Sequence, residues 1–209
     1  MRYYIRRFWA VPFVSIGLVI INVVVHLLNG MMKERLLWRG NLNVLDILGN
    51  GEYQRVLYAM FLHADLNHLF NNMIILLFMG AMLEKEIGHG AFGSIYLLSG
   101  ICGNISSLIY KIQQRSMAIS IGASGAVFGM DGLLLALVFF SSGKILSVTP
   151  ARVMIMIALS LYNGFASTDI DNAAHVGGLL AGFVLGCLLC FGQRVKYNLK
   201  KRGMRNDEG

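Results

Sequence analysis

Apolar residues run along this chain in long blocks rather than in alternation. Six blocks stand out, at 8–28, 61–82, 92–112, 122–141, 151–166 and 173–192, separated by charged or glycine-containing segments. A helix needs ~20 apolar residues to cross the hydrocarbon core of a bilayer. Five of the six blocks reach about that length, and the block at 151–166 is shorter. Lipid offers no hydrogen bonds to an open sheet edge, so such blocks fold as helices. The short alternating strands of an outer-membrane barrel are absent from the pattern. The blocks therefore predict an all-α, polytopic membrane protein built as a six-transmembrane-helix bundle.

The connections refine this picture. Between the first two blocks lies "NGMMKERLLWRGNLNVLDILGNGEYQRVLYA". It mixes charges with Leu, Trp and Tyr, which suits a long, structured first outer loop dipping into the interface, with turns at its Gly and Asn clusters. The start, "MRYYIRRFW", resembles the basic end of a signal peptide. The apolar run that follows is longer than a signal core and no small-x-small cleavage pattern closes it, which predicts a retained first span. One helical unit over 1–192 and a basic cytoplasmic tail over 193–209 complete the expected organisation.

Composition agrees with the blocks. The 209 residues are 56% hydrophobic and 14% charged, with a mean hydropathy of +0.62 and two prolines. The net charge of +7 would favour nucleic acid in a soluble chain. Here the basic residues flank apolar blocks, so membrane topology and anionic headgroups account for them and no nucleic-acid partner is expected. With six spans both ends share a side, which carries twelve Lys and Arg against six on the other. The positive-inside rule then places both termini in the cytoplasm and the starts of spans two, four and six outside. Cys102, Cys187 and Cys190 all fall in apolar blocks and read as small core residues.

Chemistry enters with "GASGAVFGMDG" at 122–132, which sets Ser124 between two glycines at the outer end of span four. Small residues alone can mean close helix packing. Span six runs in the same direction and opens "DNAAHVGGLLAGF", so His175 is expected at a similar depth. Polar groups in a membrane are costly and face the bundle interior or a water-filled cavity. A His beside a Ser can take the hydroxyl proton and so activate a weak nucleophile. Gly125 and Gly129 on span four, with Gly178, Gly182 and Gly186 on span six, would let the two helices approach until these side chains meet.

A third element, "FLHADLNHLFNNM", opens span two. His68 and Asn72 are four apart and share a helix face, where they suit an oxyanion hole. His63 and His68 are five apart and no Glu follows the first, so the zinc-protease HExxH pattern is not met. No metal or other cofactor is expected.

Four segments together resemble the rhomboid family of intramembrane serine proteases: "HADLNHLFNN" on span two, "LEKEIG" just after it, "GASGAVFG" on span four and "AHVGGLLAG" on span six. They stand in family order over nearly the whole chain. The resemblance implies a catalytic dyad without an Asp, Ser124 as nucleophile and His175 as base, with His68, Asn72 and the Ser124 backbone N–H forming the oxyanion hole. It also implies supporting roles for Gly122, Gly125 and Gly178, for Phe128 stacking on His175, and for Glu84 and Gly88 tying cytoplasmic ends together. Arg55 matches the Arg of the family's Trp-Arg pair, although Gln54 precedes it, and the pair at Trp38-Arg39 stands elsewhere. The implied partners are the lipid bilayer and membrane-protein substrates with a transmembrane segment, cut in or next to that segment.

GxSG is not GxSxG, since position 126 is Ala, so the nucleophile elbow of soluble hydrolases is not implied. The alternative reading is a rhomboid-like protein that binds membrane clients without cutting them; such members lack the Ser or the His, and both are present. A transporter would call for an inverted repeat or broken midplane helices, which the sequence lacks. Asp131, two turns below Ser124, is expected to pack as a hydrogen-bonded structural acid. Asn22 and His26 are expected to bond within the bundle, and His89 to sit solvated in a cytoplasmic loop.

Overall fold

The computed structural model describes residues 11–140, 148–166 and 170–206, with side chains through 195. Its regular structure is helical. The first helix, α1 (Phe13–Met31), covers most of the expected first span, whose residues 8–10 lie outside the described segments. Left-handed turns at Lys33 and Glu34 then redirect the chain. The following loop is structured, as expected: α2 (Arg35–Gly40), α3 (Val44–Gly49) and α4 (Arg55–Tyr58), closed by a tight turn at Ala59–Phe61. Leu42, Ile47 and Ala59 form a small apolar core beneath it.

Arg55 holds this loop together. It is 6% exposed and donates from Nε to Glu52 at 2.6 Å, from Nη2 to Asp46 at 3.1 Å, and from Nη1 to the carbonyls of Trp38 and Asn41, both at 3.1 Å. A guanidinium presents donors in a rigid fork, so one buried residue can fasten α2, α3 and α4 at once.

The second apolar stretch opens with Asp65, whose carboxylate accepts the backbone N–H of His68 at 2.9 Å and so starts α5 (Leu66–Ile75). A widened turn of π type at Leu76–Gly80 leads into α6 (Ala81–Ile87), making one run of 22 residues. Then come α7 (His89–Gln114), α8 (Ser124–Phe140), α9 (Pro150–Phe165) and α10 (Asn172–Asn206). Among the described residues four segments are long and apolar enough to cross a membrane: Phe13–Met31, Leu66–Ile87, His89–Gln114 and Asn172–Val195. The apolar helices α8 and α9 are shorter, at 17 and 16 residues. The protein is thus an all-α, multi-pass integral membrane protein. The expected boundary at 192 falls inside α10, which continues to Asn206.

Helix α8 lies at the centre. It is apolar all round and nearly all its residues are buried, as a helix surrounded by others must be. Its partner α10 meets it through glycines. A Cβ on Gly178 would overlap the carbonyl oxygen of Gly125, and one on Gly182 that of Gly129. Helix α7 joins the pair, and a Cβ on Gly103 would stand 2.7 Å from the Ala174 carbonyl oxygen. Lipid tails supply no hydrophobic drive between helices, so close backbone approach of this kind is what binds them.

Helix α1 is attached differently. Its buried residues are Ser15, Leu18, Asn22 and Asn29. Glu84, fully buried on α6, accepts the backbone N–H groups of Val14 and Ser15 at 2.9 and 2.7 Å and the Ser15 hydroxyl at 2.6 Å. At the other end of α1, Asn29 accepts the Leu37 N–H at 2.9 Å. Glu84 also faces His89 Nδ1 at 2.5 Å, and the His89 ring stacks on Phe13 at 3.9 Å.

Three expectations need correction here. His89 is not a solvated loop residue, because Gly88 (φ 91) turns the chain directly into α7 and leaves no loop for it. Asn22 donates to the Leu18 carbonyl of its own helix at 2.8 Å, and neither its Oδ1 nor His26 Nδ1 has a hydrogen-bond partner among the described residues. Cys190 is buried and Cys187 half-buried, but Cys102 is exposed.

Candidate active site

Ser124 is the first residue of α8, and the chain reaches it through a constrained segment. Ser120 exchanges two backbone hydrogen bonds with Leu42, at 2.9 and 3.1 Å. Gly122 donates its N–H to the Ala59 carbonyl at 2.8 Å and adopts φ +126, open essentially to glycine alone. Space is a second constraint on it, since a Cβ there would come 2.7 Å from His68 Nε2. The loop between the first two spans therefore holds the segment entering α8 from one side, and the His68 ring lies against it from the other.

His175 sits one turn into α10. Asp171 caps that helix: its carboxylate accepts the Ala174 N–H at 3.0 Å and its carbonyl the His175 N–H at 3.1 Å. The His175 Nε2 and the Ser124 Oγ are 2.9 Å apart, within hydrogen-bond reach. Phe128, one turn below Ser124, stacks on the imidazole with ring centroids 4.2 Å apart and planes 14° from parallel. His175 Nδ1 is buried and has no hydrogen-bond partner among the described residues. The ring is thus oriented by an aromatic face and by its Ser partner, with no carboxylate at its second nitrogen.

On α5, Asn72 is 6% exposed and donates from its amide to the His68 carbonyl at 3.1 Å. A side-chain amide has two N–H bonds, so the second stays available. His63 is almost fully buried, and its ring meets His68 edge-on at 5.0 Å. Neither of its nitrogens has a hydrogen-bond partner among the described residues. Burial, reinforced by the neighbouring charges of His68 and His26, lowers its pKa from 6.5 to about 3.

The structure thus gathers Ser124, His175, Phe128, Gly125 and Gly178 at the contact of α8 with α10, and sets His68 beside Gly122. Arg55 and Glu84 lie apart, the first within the loop, the second at the opposite end of its stretch from His68. Asp131 is buried in α8 at 8% exposure. Among the described residues no three His, Cys, Asp or Glu side chains group as metal ligands.

Four residues near the dyad escaped the sequence reading. Lys111, 7% exposed near the end of α7, donates to Ser107 Oγ at 2.8 Å, to Asp171 Oδ2 at 2.9 Å, and to Ser120 Oγ. The hydroxyls of Ser107 and Ser120 also donate to Asp171 Oδ2. Burial would raise the Asp171 carboxyl, but the two hydroxyls and the Lys111 ammonium outweigh it and hold its pKa below the ordinary carboxylate value. The available signals were an Asp and a Ser standing four residues before His175 and Ser124, and a Lys inside an apolar block.

Comparison with known proteins bears on this site. The family model for the rhomboid domain matches residues 50–191. RHOMBOID-like protein 4 of Arabidopsis thaliana is 39% identical over 154 residues, which are 72% of this chain and 37% of that protein. Rhomboid protease GluP of Bacillus subtilis is 35% identical over 156 residues, 72% of this chain and 30% of that protein. Putative rhomboid protease YdcA, also of Bacillus subtilis, is 34% identical over 154 residues, 73% of this chain and 75% of that protein. The chain spans about a third of the length of the first two relatives and three quarters of the third.

Proposed function

The chain belongs to the rhomboid family, and on that premise we propose that it is an intramembrane serine protease working through a Ser124–His175 dyad. The observation that carries this reading is the 2.9 Å contact between His175 Nε2 and Ser124 Oγ at the start of a buried helix. A Ser with an imidazole in reach has the base it needs for attack. Two relatives, one named a rhomboid protease and one a putative rhomboid protease, support proteolysis as the activity.

In the proposed reaction His175 accepts the Ser124 proton as Oγ bonds to the carbonyl carbon of a substrate peptide. The carbonyl oxygen becomes an oxyanion, held by His68, Asn72 and the Ser124 backbone N–H. Removing one such donor typically costs about 3–4 kcal/mol of transition-state stabilisation. His175 then passes its proton to the leaving amine as the C–N bond breaks, leaving an acyl-enzyme. Water attacks the ester with His175 again as base, and Ser124 regains its proton as the new carboxylic end departs.

The substrates on this reading are membrane proteins with a transmembrane segment. On this reading both termini lie in the cytoplasm and the site opens to the outer face, which the excess of Lys and Arg on one side supports. Residues 1–192 form the six-span catalytic unit and 193–209 a basic tail. Gly122, Gly125, Gly178, Phe128, Arg55 and Glu84 support the site without touching the reacting bond.

The test is cleavage of a fluorogenic transmembrane-segment peptide by purified protein in detergent, comparing wild type with Ser124→Ala. Wild type should cleave, and the variant should lose cleavage while keeping its unfolding midpoint. A folded Ser124→Ala that cleaves like wild type would sink the reading.

A further inference from the structure

Ser120 and Asp171 stand four residues before Ser124 and His175, and each is bonded to Lys111 and to the other. The Ser120–Asp171 and Ser124–His175 contacts span the same sequence separation, 51 residues. One is the dyad; the other lies four residues upstream on both segments, just before the two helices begin. Lys111 and Ser107 supply the third side from α7, where they are four apart and share a helix face. Three segments that meet at the dyad are therefore fastened by one largely buried ionic cluster, in which Asp171 is half-buried. Lys111 is 7% exposed, Ser107 fully buried and Ser120 9% exposed.

We propose that Lys111, Asp171, Ser120 and Ser107 are positioning residues that set the separation and orientation of Ser124 and His175. The inference rests on the protease reading above. Each arm has a short, defined path to the chemistry. The Asp171 carbonyl accepts the His175 N–H at 3.1 Å, and its carboxylate caps Ala174. A shift of Asp171 moves the turn that carries the imidazole. Ser120 is fixed by its paired backbone bonds to Leu42, and Gly122 by its bond to Ala59, so a shift of Ser120 moves the start of α8. The ammonium and the carboxylate meet directly, and the hydroxyls at 107 and 120 flank the pair, each accepting from the one and donating to the other. A buried charge pair survives only when its remaining lone pairs and protons are satisfied in this way. Among the described residues no hydrogen bond joins the cluster to the Ser124 or His175 side chain, so it reaches them through backbone placement and through the field of the Asp171 carboxylate at His175.

This role differs from simple helix capping, and the difference is measurable. Asp171→Ser keeps an N-cap side chain for the Ala174 N–H and removes the link to Lys111. Lys111→Met keeps the cap and the side-chain bulk and removes the charge. The full-length protein in detergent would be compared with both variants and with Ser120→Ala. The readouts are kcat and KM for the fluorogenic transmembrane peptide, the rate of Ser124 labelling by a small fluorophosphonate, and the unfolding midpoint. Misplacing a dyad should lower kcat and the labelling rate together, by roughly ten- to a hundredfold, with KM within about twofold.

The inference is overturned if a folded Lys111→Met enzyme cleaves and labels at the wild-type rate. It is equally overturned if activity falls only in proportion to the folded fraction, or if KM alone rises. Should Lys111→Met not fold, Asp171→Ser and Ser120→Ala decide by the same criteria. The protease reading fails separately, and takes this inference with it, if wild type neither cleaves nor labels or if folded Ser124→Ala does both.

Discussion

Gly178 lies so close to Gly125 that a side-chain carbon on the first would overlap the carbonyl oxygen of the second. Gly125 directly follows Ser124 and Gly178 lies about one turn past His175, so the distance between the two helix backbones sets the distance between Ser124 and His175. Gly178→Ala would force α10 off α8. Activity against the transmembrane peptide should fall by about a hundredfold, the order expected for a displacement near 1 Å, and stability by ~1–3 kcal/mol from overpacking. Gly192→Ala is the control, since a Cβ at Gly192 meets nothing within 4 Å. Equal activity of the two variants would count against the seam as the determinant.

The Phe128 ring is the surface against which His175 lies flat, and the imidazole's second nitrogen has no hydrogen-bond partner among the described residues. Stacked aromatic pairs contribute ~0.5–1.5 kcal/mol beyond their buried area. Phe128→Leu keeps an apolar side chain and loses the stack. The kcat should drop roughly two- to tenfold, with KM little changed; an unaltered kcat would show that packing of any kind suffices.

Arg55 satisfies two carboxylates and two carbonyls from a buried position. A Lys carries the same charge but not the fork, so Arg55→Lys is not conservative here. About 2–3 kcal/mol of stability should be lost, a figure reduced because Asp46 and Glu52 keep partial access to water. Thermal unfolding in detergent measures it. A Lys variant as stable as wild type would mean that charge alone holds the loop.

His63 makes acid stability a probe of burial. Above about pH 6.5 its imidazole is neutral in both folded and unfolded chains. Below that value the unfolded chain binds a proton that the folded chain refuses until about pH 3. Stability should therefore fall as pH drops through this window, by at most ~1.4 kcal/mol per unit from this residue. Asp171 has the opposite reference: with its carboxyl pKa lowered from 3.8, its contribution is present above that value and is lost only in stronger acid. Unfolding midpoints between pH 7 and pH 4 should slope less steeply for His63→Gln than for wild type. Parallel slopes would assign the acid sensitivity to other groups.

The apolar blocks marked out the helices well because a long, continuous apolar run in lipid satisfies its own backbone only as a helix. Ser124 and His175 were legible as a pair because span direction alone sets them at one depth. The Lys111 cluster was not, since Lys111 and Asp171 are 60 residues apart and nothing local in either segment announces the contact. Read singly, Lys111 is one more positive charge near the end of a span. His89 was misread for a different reason: a Gly and a His between two apolar blocks look like a turn, but α7 starts at that His. Cys102 shows the limit of block reading, because an apolar stretch says a residue is in a helix and not which face it takes.

The attachment of α1 has its own consequence. Three of its four buried residues are polar, and its two ends are tied by hydrogen bonds, to Glu84 at the start and through Asn29 at the finish. With no hydrophobic drive between helices in lipid, the side-chain stripe along α1 does little to choose its height in the bundle. The helix is moored at both ends, as a bridge deck is by its abutments, while its middle buries Leu18 and Asn22 in the bundle and turns its outer face to hydrocarbon. Its axial position is fixed by a handful of polar atoms at the membrane's edges, and the outer face between them is left to the lipid.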